Sequence, residues 1–147
     1  MVSTPTSSQR ILTSFKQQAL MMTIGAHITH IDQGAVTIEM PFNTALTQQH
    51  GFIHAGITTT LADNACGYAA LSLMPEDAAV LTIEFKINFM SPAQGERFVA
   101  RGQVLKPGSS IMVCMGDVHA IQSDGKEKLI ASMLATMSVR RDTGLIG

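Results

Sequence analysis

Residues 56 to 74 read Gly56-Ile57-Thr58-Thr59-Thr60-Leu61-Ala62-Asp63-Asn64-Ala65-Cys66-Gly67-Tyr68-Ala69-Ala70-Leu71-Ser72-Leu73-Met74, and this stretch decides the fold. Taken from Phe52 onward the run is long enough to span a bilayer. Asp63 lies at its midpoint, however, where a charge costs about 2.5–3.5 kcal/mol on insertion. Three threonines and two glycines weaken the membrane reading further. The stretch is a buried helix over Gly56–Met74 of a water-soluble domain, closed by Pro75-Glu76-Asp77. From Met40 to Pro75 the only Asp, Glu, Lys or Arg is Asp63. A helix so poor in charge must be wrapped by protein on most sides, and a strongly curved sheet provides that wrapping.

The flanking sequence supplies the sheet. In Ala79–Met90, Leu81, Ile83, Phe85, Ile87 and Phe89 alternate with Thr82, Glu84, Lys86 and Asn88, the period of a half-buried strand. Ser91–Gly95 is a turn, Glu96–Leu105 a strand, and Lys106–Ser110 a Pro-Gly turn. Ile111–Ile121 and Leu129–Val139 pair around Gln122–Lys128, where Asp124-Gly125 is a hairpin turn. Before the long helix, Ala26–Ile31 and Ala35–Phe42 form a hairpin across Asp32-Gln33-Gly34, and Asn43–Ala55 is a polar loop. A first helix over Gln9–Met22 is expected, capped by Ser7 or Ser8, with Ile11, Leu12, Phe15, Ala19 and Met22 on its apolar stripe and Gly25 beyond its end. The order is helix, hairpin, long helix, then four strands: an α+β domain whose antiparallel sheet covers a swallowed helix. One domain over 1–147 is expected, with an N-terminal helical segment over 1–24 and a tail over 140–147.

Composition narrows the function classes. Ten Lys+Arg against eleven Asp+Glu leave a formal charge of −1, so no basic footprint for nucleic acid is present. Only 14% of residues are charged and 46% are apolar, which excludes disorder and hints at an oligomer that covers part of its surface with a second copy. Cys66 and Cys114 show no ligand spacing and read as buried free thiols of a reducing compartment. Met1–Ser8 lacks a basic region followed by an apolar one, so a cytoplasmic location is expected.

Asp63 is the first chemical candidate. A lone carboxylate within an apolar helix loses hydration, which raises its pKa and makes it a better proton acceptor. Gly56, Thr59, Thr60, Asp63 and Gly67 share a small, polar helix face, opposite bulkier Ile57, Leu61, Ala65 and Tyr68. The same spacing also fits a structural Asp bonded to a neighbouring hydroxyl or to a partner chain. Just upstream, Gln48-Gln49-His50-Gly51-Phe52-Ile53-His54-Ala55-Gly56 leads into the helix start, where unpaired N–H groups can hold a polarised carbonyl oxygen. It can equally be an ordinary loop entering a helix. His50, His54 and Asp63 invite a metal reading, but no H-E-x-x-H accompanies them and a loop with Gly51 does not keep helical spacing. No metal site is expected. Nor is there a nucleophile elbow, a P-loop or a dinucleotide fingerprint.

Gln48-x-x-Gly51-x-x-His54-Ala55-Gly56, followed by Leu61-Ala62-Asp63, resembles the signature of the PaaI-type hotdog-fold acyl-CoA thioesterases: Asn or Gln, then Gly, then His-Gly-Gly, then an acid nine residues after the His. Asn88-Phe89-Met90-Ser91-Pro92-Ala93 and Val104-Leu105-Lys106-Pro107-Gly108 resemble the family's later strand-to-turn segments, so the likeness runs from about residue 25 to 139. It implies a hotdog fold, with a long central helix wrapped by a curved antiparallel sheet. It implies hydrolysis of acyl-CoA to free acid and CoA without a cofactor, since a thioester is already an activated acyl group. By position, Asp63 matches the catalytic acid, as general base or as nucleophile, and Gln48 matches the amide that places water or thioester. Ala55 matches the first Gly of the pair, whose N–H polarises the carbonyl. His54 matches the supporting His, and Thr82 falls where some members place a hydroxyl. The resemblance further implies a homodimer or dimer of dimers, tetramers being usual, with Asp63 and the Gln48–Ala55 loop of one site drawn from different subunits. CoA would lie near Gly56, Ser91, Pro92 and the turn containing Lys106, Gly108 and Ser109. Two positions depart from the pattern. Ala55 replaces a glycine, so the hole requires that residue to avoid positive φ, and Ser91 replaces an Arg, leaving Lys106, Arg140 or Arg141 to meet a phosphate. Alternative functions for the same fold are a non-catalytic acyl-CoA-binding protein and a hydratase.

Overall fold

The computed structural model of the chain describes residues 6–145. Its elements are α1 (Ser7–Gln17), α2 (Ala19–Thr23), β1 (His27–Asp32), β2 (Ala35–Pro41), a 3-10 turn (Thr44–Leu46), α3 (Ala55–Leu71), β3 (Ala79–Phe89), β4 (Arg97–Lys106), β5 (Ile111–Ile121) and β6 (Glu127–Arg140). The strands form one six-stranded sheet in the order β1-β2-β4-β5-β6-β3, antiparallel at every pairing. The sheet curves around α3, whose Leu61, Ala62, Ala65, Cys66 and Ala69 are fully buried against Ile38, Ala100, Cys114, Val118 and Met137. This is the hotdog arrangement. No helix among the described residues is long and apolar enough to cross a membrane.

Two glycines set how closely α3 approaches the sheet. Gly102 of β4 lies directly opposite Gly116 of β5. A Cβ on Gly102 would stand 2.2 Å from the backbone carbon and oxygen of Ala65, and one on Gly116 would stand 2.8 Å from Cys66 Sγ. The bare backbone pair is therefore a trough in which the Ala62–Cys66 turn lies, and that turn carries Asp63. Gly102→Ala forces rigid backbone apart and should cost about 3 kcal/mol, the upper range for overpacking, or a fall in Tm of about 6–12 °C. Gly67→Ala meets nothing within 4 Å and, as a glycine replaced in mid-helix, should leave Tm unchanged or raised. Thermal melts followed by circular dichroism check the pair.

The N-terminal helix differs from expectation. Thr6, not Ser7 or Ser8, caps it, accepting from Gln9 N–H at 3.3 Å. The continuous run over Gln9–Met22 is two helices, broken at Gln18 where ψ is 101°. The break rotates the following turn, so Met21 is buried while Met22 stays exposed, and Leu12, ahead of the break, is exposed beside buried Ile11 and Phe15. Its cause is tertiary, since the Gln18 side chain leaves its helix to bond α3. The long helix begins at Ala55 and ends at Leu71, slightly inside the expected Gly56–Met74 at its far end. Gly25, Gly34 and Gly125 occupy positive φ, as the helix end and the two hairpin turns require.

β3 is an edge strand, and its alternation is not continuous. Thr82 pairs with Met137 and Glu84 with Thr136, leaving Ile83 as an extra residue. Residues opposite each other across a ladder share a face, so Thr82 lies with buried Met137 on the helix side, as does Phe85 with Ala135, while Leu81 lies with Ser138 on the outer side. The expected single row of Leu81, Ile83, Phe85, Ile87 and Phe89 is thus broken at Ile83. Leu81, Ile83, Phe85 and Phe89 are 41–53% exposed, an open apolar edge of the kind that templates pairing with another strand.

Candidate active site

The bulge brings two predicted residues together. Thr82 Oγ1 donates to Asp63 Oδ1 at 2.7 Å, which a strictly alternating strand would prevent by turning Thr82 outward. Asp63 is half-buried, and burial pushes its carboxyl above the ordinary aspartate range, while the Thr82 hydrogen bond opposes the rise. One carboxylate oxygen is anchored and the other remains for a proton. Thr59 and Thr60, on the same helix face, spend their hydroxyls on the carbonyls of Ala55 and Gly56. Asp63, Thr82, Gly67 and Val80 line a cavity of about 380 Å³ between α1, α3 and the start of β3.

Gln48 and Ala55 lie elsewhere. They line a second cavity of about 390 Å³ with Ser91, Pro92, Phe89 and Met90, at the other end of β3. The loop from 43 to 54 is built for this. Asn43 Oδ1 caps the 3-10 turn by accepting from Ala45 N–H. Gln48 N–H donates to Phe52 O at 2.8 Å across a turn in which Gly51 has φ of 83°. Ile53 N–H donates to Ala93 O. Gln48 accepts through Oε1 from His50 N–H, which fixes the side chain and leaves its amide nitrogen for a ligand. His54 is the N-cap of α3, its Nδ1 accepting from Gly56 N–H at 2.9 Å. The Ala55 N–H donates to nothing among the described residues. Among them, Asp142 alone of the non-glycine residues has a positive φ, so the extra methyl of Ala55 is accommodated without strain and the N–H is retained.

The remaining candidates are dispersed within one chain. Gly56 opens onto a separate shallow depression with His54 and Ile57. Lys106 and Ser109 are exposed and Gly108 half-buried in the β4–β5 turn, whose Ser110 O accepts from Val139 N–H beside the start of β3. Ser91 N–H donates to Ile130 O at its far end. The structure therefore does not bring Ser91 and Pro92 together with Lys106, Gly108 and Ser109. No three His, Cys, Asp or Glu side chains converge on a metal-sized site among the described residues. Burial pushes the Cys66 thiol far up and that of Cys114 to about 11, so both stay protonated and unreactive at neutral pH.

Sequence reasoning missed Ser14, Gln18 and Asn64, which line the Asp63 cavity with Tyr68. Asn64 was visible as the one other amide or acid in the helix, adjacent to Asp63. Tyr68 is not simply part of the apolar helix face, because its hydroxyl meets Ser14 and Gln18.

A long helix in a curved antiparallel sheet, with a desolvated acid at its middle and a free N–H at its start, defines a hotdog protein of the thioesterase kind. The thioesterase superfamily profile matches residues 50–126, and the chain belongs to that superfamily. A thioesterase family protein from Silicibacter pomeroyi, known from its crystal structure, is 50% identical, with a TM-score of 0.89 over 96% of this chain and 99% of that one. Acyl-coenzyme A thioesterase 13 of Homo sapiens is 35% identical over 79 residues, 53% of this chain and 56% of the relative. The PaaI protein of the E. coli phenylacetic acid degradation operon shares the fold at 20% identity, with a TM-score of 0.81 over 92% of this chain and 94% of that one. The PaaI-type resemblance read from the residues around Gln48–Asp63 thus holds at the level of fold and superfamily.

Proposed function

We propose that the protein hydrolyses acyl-CoA thioesters at sites shared between two copies of the chain. The observation that carries this is the separation of a desolvated, Thr82-bonded Asp63 from an Ala55 N–H that has no partner among the described residues, in two cavities at opposite ends of an open edge strand. Antiparallel pairing of two β3 edges about a twofold axis near Phe85 and Lys86 sets Thr82 of one copy close to Phe89 of the other. Each Asp63 cavity then abuts the partner's Gln48–Ala55 cavity, and the exposed apolar edge is covered. The thioester carbonyl accepts from the Ala55 N–H. The Asp63 carboxylate takes a proton from water as the water oxygen attacks the carbonyl carbon. The C–S bond then breaks, the CoA sulfur regains the proton from Asp63, and free acid leaves. Gln48 orients the thioester or the water. CoA extends past Ser91 and Pro92 of one copy toward the Lys106–Ser109 turn of the other, which brings residues from opposite ends of β3 to one ligand.

The purified protein should release free CoA thiol from at least one member of a panel of short, long-chain and aromatic acyl-CoAs. Tight acyl-CoA binding with no thiol release would identify a binding protein instead. Loss of enoyl absorbance from crotonyl-CoA would identify a hydratase.

A further inference from the structure

The Asp63 cavity has one wall that is built differently from the rest. Its floor is α3, and its sides are α1, as far as Gln18, and the first residues of β3. The remaining lining residue is Leu145, which comes from the chain beyond the last strand. β6 ends at Arg140, opposite Ala79. Asp142 and Gly144 then take positive φ, of 54° and 74°, so the chain leaves the extended form and crosses to the helix side of the sheet. Asp142 is the one non-glycine residue so placed among those described, and aspartate tolerates that conformation better than most residues. Thr143 Oγ1 accepts from Leu145 N–H at 3.3 Å, closing the turn on itself. Leu145 is 49% exposed, with one side on the cavity and the other on solvent, so its side chain divides the two.

Residues 141–145 are otherwise untied. Among the described residues no hydrogen bond or ion pair joins them to another part of the chain. Backbone ladders hold the other walls in place, whereas an exposed segment with one apolar anchor belongs to the least stable part of a fold. Away from the carboxylate the cavity is apolar at Gly67, Ala79, Val80 and Leu81, which suits the acyl group of a thioester and not its CoA. We propose that Leu145 is a specificity-determining residue: the 141–145 strap closes the acyl cavity with this side chain and limits the length of the acyl group hydrolysed. The inference rests on the thioesterase reading above. In an acyl chain that fits the closed cavity, each further methylene buried adds about fourfold to kcat/KM. A longer chain must push Leu145 out into water, which cancels that gain.

The test measures kcat/KM along two acyl series: straight chains from acetyl-CoA to palmitoyl-CoA, and phenylacetyl-, 3-phenylpropanoyl- and 4-phenylbutanoyl-CoA. In the wild type kcat/KM should climb with length in at least one series and then drop. Leu145→Ala cuts the side chain back to a methyl and should move the drop to longer chains, raising the first excluded member by about fourfold or more. Leu145→Phe should move it to shorter chains. Both substitutions fall on a half-exposed residue outside every helix and strand, so the fold is kept. Turnover that never drops with length in the wild type, or that drops at the same length in all three proteins, overturns the proposal and leaves the thioesterase reading standing. A change of equal size at every length does the same, because it places Leu145 against CoA. Failure of both series together with the broader panel overturns the thioesterase reading itself, and this inference with it.

Discussion

Asp63→Asn should lower kcat by about 10²–10⁴, the usual contribution of a general base, with KM little changed because the bulk of CoA lies away from the carboxylate. Asparagine keeps the shape and still accepts from Thr82, so the fold should survive. It should in fact be more stable at neutral pH. Burial raises the Asp63 pKa in the folded chain, so the protonated acid is the form that folding favours. Its contribution is full below the unfolded carboxylate pKa and is lost as pH rises through the folded value. An uncharged amide avoids that loss, and Tm should rise as activity falls, the trade expected where a desolvated acid is kept for its chemistry. The wild-type rate should fall as pH drops through the same raised pKa, on a limb above the ordinary carboxylate range. Thr82→Val should move that limb higher still, because it removes the bond that opposes the shift. Full turnover by Asp63→Asn would exclude the mechanism.

Mixing two inactive variants should restore activity. Ala55→Pro deletes the N–H proposed to hold the carbonyl without disturbing α3. Proline is favoured at the first helical position, and His54 before it already has φ of −59° and ψ of 138°, the conformation that a following proline requires. Losing one oxyanion donor should lower kcat by about 10²–10³. When Asp63→Asn and Ala55→Pro chains exchange freely, half of the dimers are mixed. Each mixed dimer holds one site with both groups intact and one with neither. Activity should return to about a quarter of the wild-type value, far above either variant alone. Mixed dimers that are detected by native mass spectrometry yet remain inactive would show that each chain builds its own site.

Much of this was legible in the chain because burial writes itself as composition. Asp63 stood out as the one charge between Met40 and Pro75, and the structure places it on the swallowed helix. The hairpin turns at Gly34 and Gly125 were equally plain, since positive φ there calls for glycine. The contact between Thr82 and Asp63 could not be read from periodicity, because apolar and polar residues alternate through the bulge without a mark. The resemblance alone pointed to Thr82. The break at Gln18 was hidden for a related reason: its partners Asn64 and Tyr68 lie 46 and 50 residues away, and local propensity is silent about them. Ser14 and Gln18 entered the cavity wall by the same long-range route.

The extra residue in β3 has a consequence for how that strand tolerates change. Its first few residues must aim a hydroxyl inward at an acid, while its later ones present an edge in a different rotational phase. One uniform zigzag cannot meet both demands, and Ile83 supplies the half-step between them. What position 83 specifies is therefore spacing and not a side chain. Replacing it with another strand-forming residue leaves the phase intact, whereas deleting it would swing Thr82 to the outer face and strand the carboxylate, with every residue of the proposed site still in place in the sequence.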